Sequence, residues 1–515
     1  MRRRWLTIGG AIVLVVVVLA LTVQFANEPL RRRVEAQMNA ALKGYKVSIR
    51  ELRVHPVGLS VDLVDWIVIQ EAHPKPPIAY VPRLHASIQW LELVRGHLVA
   101  DFHFERPELY VDTRHAQKEA QDPKSLDQRG WQEAALAIFP LKVNLLRIDD
   151  GKFTYLEPGP LGYVHMWGIQ FRASNIRNVR ARDREYPSEL HLTANVLESA
   201  KLKLDGHADF LAEPHAGIDA ALDLSGLPIA RLQPIFEHYD VRARDGMLSM
   251  AGDIEYAPKV KKVQLVRVAL DRPDVEYVKR RSEQPSAGEK AAQTAAKVTT
   301  QPEVLVRADD IQLDRAKLTY ANETVDPPYR LFVSDCGVHL RNFTNVRTGD
   351  GDGKGTADVT GKFMDSGATK AHADFRPQTN GTDFDVHLQI ENTDVTTMND
   401  LWRAYGKFAF EGGSFSLYSQ LNVANGQVDG YVKPLFVGLD VASGKEAGIG
   451  KKIYGGIVGG VTTILRNQPR DQIATETSLS GPLDNPQTST LQVIGKLVQN
   501  AFFKAILPGL ERYRD

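Results

Sequence analysis

Leu190-His191-Leu192-Thr193-Ala194-Asn195-Val196 alternates apolar and polar side chains without a break. Leu202-Lys203-Leu204-Asp205-Gly206-His207-Ala208-Asp209-Phe210 does so again a few residues later. Successive side chains of a strand point to opposite faces, so a period of two predicts a sheet with one apolar and one wet face. The same rule runs through Ile218, Ala220, Leu222 and Leu224, and through Leu248, Met250, Gly252, Ile254 and Tyr256. Far downstream it returns at Phe384, Val386, Leu388 and Ile390. The fold class this predicts is mainly β, an antiparallel sheet with little helix inside it.

The alternating segments belong to a longer pattern. Arg106-Pro107-Glu108-Leu109-Tyr110-Val111 returns as Arg272-Pro273-Asp274-Val275-Glu276-Tyr277-Val278, and Gly151-Lys152-Phe153-Thr154-Tyr155 returns as Ala316-Lys317-Leu318-Thr319-Tyr320. The apolar series from Leu224 to Tyr239 matches Ile390 to Tyr405. Asp245-Gly246-Met247-Leu248-Ser249-Met250 matches Gly412-Gly413-Ser414-Phe415-Ser416-Leu417. All four blocks keep a spacing of about 166 residues, which predicts two copies of one unit and an elongated, stacked body. Pro228 to Tyr239 and Asp394 to Tyr405 read as one short helix per copy. Thr113 to Glu133 and Arg280 to Gln301 read as polar, solvated inserts at equivalent places.

Both ends break the β pattern. No charge lies between Arg4 and Glu28, and Trp5 to Phe25 is nearly all aliphatic. That span matches the about 20 residues needed to cross a bilayer, and its apolar core is longer than that of a cleaved signal peptide. Leu30, Val34, Met38 and Leu42 then form an amphipathic helical stripe that stops at Gly44. At the other end Ile449 to Leu465 carries a helical stripe beside paired glycines. After a turn-rich stretch, Ser480 to Pro486, the segment Leu491 to Leu507 carries a second stripe with Ile494, Leu497, Val498, Ala501 and Phe502 on one face and Lys496 and Lys504 opposite. This face is a candidate membrane or partner contact; its plainer role is to cap the end of the sheet. The expected organisation is therefore an anchor at 1–27, an amphipathic helix at 28–44, a first β-rich repeat at 45–263, a second at 264–440 with a disordered insert at 280–301, and a C-terminal helical segment at 441–515.

Lysine plus arginine equal aspartate plus glutamate at 63 each, which argues against a nucleic-acid partner. The one cysteine, Cys336, precludes an internal disulfide and reads as a buried structural thiol in a strand. Asp350-Gly351-Asp352-Gly353-Lys354-Gly355 looks superficially like a calcium loop, but its twelfth position is Gly361, where a glutamate is needed. The chain has no paired-cysteine or HExxH spacing, no nucleophile elbow, no phosphate-binding loop and no dinucleotide fingerprint. No catalytic residue, metal site or cofactor is expected. The apolar strand faces allow two arrangements, a closed sandwich or barrel whose faces pack together, or an open, curled sheet whose face lines a groove. In the second, Leu190, Leu192, Leu202, Leu204, Phe210, Ile218, Leu222, Phe384, Val386, Leu388 and Ile390 are the candidate lining.

Several segments together resemble the AsmA-like superfamily, in its uncharacterised-domain branch. They are the anchor with its helix and Gly44-Tyr45-Lys46-Val47, the block Leu224 to Met250, Leu479 to Pro486, and Asn500 to Pro508. The motifs are structural and carry no catalytic residues. The resemblance implies an inner-membrane-anchored protein with its body in the periplasm. Larger members of that superfamily, TamB among them, are similar to bridge-like lipid transfer proteins that carry phospholipid acyl chains along an apolar β groove toward the outer membrane. On that basis the expected function is non-enzymatic phospholipid binding in support of lipid transport and envelope integrity, with phospholipid, the inner membrane and an envelope protein as partners. A scaffold for outer-membrane protein assembly and an anchored envelope hydrolase are the alternatives.

Overall fold

A computed structural model of the chain describes residues 27–40, 42, 44–56, 58–89, 99–112, 142–156, 163–176, 186–210, 212, 216–237, 240–258, 260–280, 305–344, 354–378, 381–406, 408–441, 472–474 and 477–482. The apolar N-terminal span up to residue 26, the polar inserts, the acidic glycine loop at 350–353 and both C-terminal helical stripes lie outside these residues. So do Ile494, Leu497, Val498 and Phe502. No helix among the described residues is long and apolar enough to cross a membrane.

The described residues are mainly strand, as the alternation predicts. Helix α1 (residues 27–40) leads into β1 (Tyr45–His55), β2 (Ser60–Gln70), β3 (Ala79–Ile88), β4 (Val99–Glu105), β5 (Glu108–Asp112), β6 (Lys142–Leu156), β7 (Tyr163–Ser174), β8 (Ser188–Val196), β9 (Ala200–Asp209) and β10 (Gly217–Pro228). A 3-10 turn, Ile229–Leu232, and a short helix α2 (Gln233–Glu237) precede β11 (Val241–Ala257), β12 (Val260–Lys279), β13 (Leu305–Asn322), β14 (Tyr329–Thr344), β15 (Gly355–Phe363), β16 (Gly367–Gln378) and β17 (Gly381–Asp394). A second 3-10 turn, Val395–Met398, and α3 (Asn399–Gly406) are followed by β18 (Phe410–Ala424), β19 (Gln427–Val441), β20 (Gln472–Ala474) and β21 (Thr477–Pro482).

The chain divides into two compact units. One holds the described residues up to Ser225 together with Asp253–Lys261. The other holds Gly226–Gly252 and the described residues from Lys262 onward. In the first unit β1, β2, β3 and β4 pair antiparallel in sequence order, as do β6 to β10. In the second, β13 to β19 do the same, and β19 also receives β20 and β21.

Two expectations need correction. The sheet is mixed, because β4 and β5 both run parallel to β6, and β12 runs parallel to β13. A parallel pair needs a long crossover, and the polar inserts occupy those two connections. Alternation alone does not report strand direction, so the sequence pattern could not separate the two cases. At the C-terminus, Gln472–Ala474 and Thr477–Pro482 are strands on the edge of β19, within a segment expected to be helix and turn.

The core is divided to match. In the first unit Met38, Val47, Ile49, Leu52, Leu63, Val81 and Leu84 form one buried cluster, with Val34 and Leu42 packed on it, so the apolar stripe of α1 covers the β1–β3 end of the sheet. In the second unit Met398, Leu401 and Trp402, from the second 3-10 turn and α3, pack among Phe408, Phe410, Phe415 and Phe436. Asp394 starts that helical segment by accepting a hydrogen bond from the Thr396 backbone at 2.9 Å. Cys336 is a buried residue of β14 whose thiol burial pushes up, in keeping with a structural role.

Candidate functional site

Cross-strand register turns the alternation into continuous rows. In the first unit, Leu52, Leu63, Leu84, Phe104, Ile148, Phe171, Leu192, Leu204 and Leu222 stand opposite one another in turn, one residue per strand. A parallel row beside it contains Phe102, Leu146, Ala173, Leu190, Gly206 and Ala220. Gly206 is there because strands approach closely: a Cβ at that position would meet Ala220 Cα at 2.5 Å.

Burial along the first row changes with position. Leu52, Leu63 and Leu84 are 2%, 5% and 0% exposed beneath α1. Phe104, Ile148, Phe171, Leu192, Leu204 and Leu222 are only half-buried. The apolar surface thus continues past the reach of α1, over β6 to β10, without a full cover among the described residues. Leu190 is buried, Leu202 and Ile218 are half-buried, and Phe210 lies in a turn just past β9 rather than on the strand.

In the second unit the corresponding row reads Val268, Ile311, Leu340, Ala357, Ala373, Val386, Leu421, Gly430 and Leu479. Here the candidate residues are more enclosed. Phe384 and Val386 belong to a buried cluster with Phe375, Val423 and Val428. Ile390 lies in the aromatic cluster under α3, and Leu388 is half-buried against it. Ala373 on the row is part of the buried cluster around Phe384, and Ala357 packs against it.

The opposite face is polar and cross-linked. Asp62 is nearly buried between His85 (2.5 Å), Arg83 (2.8 Å) and His55 (3.3 Å). Burial pushes its carboxyl up, but hydrogen bonds from His85 and Arg83 outweigh this and hold it below the ordinary value. His103 meets Asp149 at 2.7 Å, His191 meets Asp205 at 2.8 Å and His372 meets Asp358 at 2.7 Å. His339 pairs with Asp310 in the same way. The histidines that alternation places on the wet face are therefore rungs of cross-strand hydrogen bonds to carboxylates. No group of three or more His, Cys, Asp or Glu side chains among the described residues is placed to hold a metal.

Sequence reasoning missed Leu52, Leu63, Leu84, Phe104, Ile148 and Phe171. Several of their strands are interrupted, with left-handed residues at Asp65 in β2 and Asp150 in β6 and register shifts after Ile148. Each bulge resets the period of two. The usable signal is local, as in Phe102-His103-Phe104 and Leu146-Arg147-Ile148. No family model matches the chain, and no curated protein matches it.

Proposed function

We propose that the apolar rows form a groove for phospholipid acyl chains. In this reading the chain is a non-enzymatic protein, anchored in the bacterial inner membrane with its body in the periplasm. There it assists lipid transport to the outer membrane and so supports envelope integrity. One observation carries the lipid reading: a nine-strand row of large apolar side chains that is sealed at one end and left half-open over β6 to β10. A contiguous apolar surface of this kind marks a site for a hydrophobic ligand, a membrane or a partner. A closed core would instead bury Leu192, Leu204 and Leu222 as fully as it does Leu84. The anchor and the envelope location rest on the uncharged span from Trp5 to Ala26.

We also propose that the body is two copies of one unit, and the structural details support this. The parallel pairs align Glu108 with Lys152 and Asp274 with Lys317. Left-handed residues recur at Arg106 and Arg272, at Asp150 and Arg315, and at Asn175 and Asn342. A serine hydroxyl accepts from the Gly226 backbone (Ser249) and, one copy later, from the Asn392 backbone (Ser416).

The test is native mass spectrometry of the full chain extracted in mild detergent. Phospholipid adducts are expected on the wild type and absent from Leu192→Asp. A wild type free of lipid, or adducts equally abundant on the variant, would contradict the groove.

A further inference from the structure

On the polar face of the first unit, basic side chains stand in register. His103, Arg147, Arg172 and His191 lie opposite one another on β4, β6, β7 and β8. Arg147 and Arg172 are like charges directly opposite one another, which destabilises a sheet, so the row calls for counter-charge. Asp149 supplies it to Arg147 (2.9 Å) and is also hydrogen-bonded to His103 (2.7 Å), while His191 is hydrogen-bonded to Asp205 (2.8 Å). The Arg172 side chain, exposed between Arg147 and His191, makes no hydrogen bond or ion pair among the described residues. A shallow cleft of about 330 Å³ opens at this place; Arg147, Asp149, Arg172 and Thr193 line it, together with Ile148, Phe171 and Leu192 of the apolar row. Register shifts after Ile148 and after Trp167 border it. Bulges of this kind re-aim side chains and are common beside functional sites.

We infer that this cleft binds a phosphate-class oxyanion. Arg172 supplies the unspent charge and a planar fork of donors that suits a phosphate. Arg147 and the Thr193 hydroxyl flank the same space. The Asp149 carboxylate also borders it, but Arg147 pairs with that group and His103 is hydrogen-bonded to it, which limits its repulsion of an anion. A free phosphate and the phosphomonoester headgroup of a lipid present the same chemistry. The site's charged groups, Arg147 and Arg172, alternate with the apolar row and so belong to the opposite face, and Arg172→Gln therefore tests the site separately from acyl-chain binding.

Isothermal titration of the full chain in neutral detergent micelles tests it, with three probes: inorganic phosphate, dihexanoyl phosphatidic acid and dihexanoyl phosphatidylcholine. Arg172→Gln should weaken binding of at least one of the first two about tenfold, the loss of a charge-assisted contact. Arg172→Lys should recover part of it, and Lys201→Gln, on exposed β9 surface, should leave it unchanged. Arg172-dependent binding of inorganic phosphate alone identifies a soluble ligand. Arg172-dependent binding of phosphatidic acid, with or without phosphate, identifies the headgroup. Phosphatidylcholine taken up through the apolar face should be indifferent to Arg172→Gln. Failure of both phosphate probes to bind, or affinities unchanged in a folded Arg172→Gln variant, overturns the site and leaves the groove untouched.

Discussion

Leu84 and Leu204 occupy the same row, yet they serve different ends. Leu84 is fully buried beneath α1, so truncation opens a cavity. Leu84→Ala should cost about 2–5 kcal/mol in denaturant unfolding. Leu204 is half-buried, so a charge there can still reach water. Leu204→Asp should therefore leave the protein folded while it strips bound phospholipid, whereas Leu84→Asp should unfold it. Equal unfolding by the two aspartates, read by near-UV circular dichroism, would place Leu204 in a closed core. Single residues also show what alternation conveys. In Leu190 to Leu224 it gave the correct face for nearly every side chain, because β8, β9 and β10 pair without a register shift. It failed at Phe210, where the strand ends one residue earlier, and it could not tell a lining residue from a core residue at Phe384 and Val386. That difference depends on what lies across the face, which no local period encodes.

At the scale of elements, α1 does more than cover a cluster. The Asn39 side chain accepts from the Val47 backbone N–H (2.7 Å) and donates to its carbonyl (3.0 Å). Glu35 accepts from the Ile49 N–H (3.2 Å), and Arg31 donates to the Ile49 carbonyl (2.9 Å). Arg31, Glu35 and Asn39 follow one another at i, i+4 and i+8. One side of the helix thus stands in for a neighbouring strand and occupies backbone groups that an open edge would offer to another chain. From sequence these three positions read only as the wet side of an amphipathic helix, since their backbone partners lie on β1. Asn39→Ala should expose the Val47 amide. Hydrogen exchange there should quicken by an order of magnitude or more, while amides of β8 and β9 stay protected; unchanged protection at Val47 would show the cap to be idle. Strand direction was likewise hidden, and only the length of the two inserts hinted at the parallel crossovers.

Across the whole molecule, charge ties the strands together and sets the pH range of the fold. Glu276 is fully buried and takes hydrogen bonds from Arg330 (2.8 Å), Arg244 (2.5 Å) and Arg242 (3.4 Å). Burial pushes its carboxyl up, but Arg330, Arg244 and Arg242 outweigh that and hold it below the ordinary value; Asp62 behaves likewise. A carboxylate with a depressed folded pKa stabilises above the ordinary value near 4, and that stability is lost as pH falls through the folded value. The Asp358 hydrogen bond raises His372, so its contribution is present below the ordinary histidine value near 6.5 and fades as pH rises through the folded value. Thermal stability should therefore be greatest between about pH 4 and 6.5, with a steep acid limb. Glu276→Gln should lower the plateau by about 1–3 kcal/mol, less than for a fully buried pair because its arginines are half-exposed, and should flatten the acid limb; an unaltered limb would rule Glu276 out as its source. The central claim is that the apolar face of β9 and β10 carries phospholipid acyl chains and the polar face of the same strands does not. Photo-crosslinkers at Leu202, Leu204, Ile218 and Leu222, and separately at their neighbours Lys201, Lys203, Asp219 and Asp223, which lie away from the Arg172 cleft, test it most directly in cells. The account predicts phospholipid captured from the first four positions and none from the second four. Equal capture from both sets, or none from either, contradicts it.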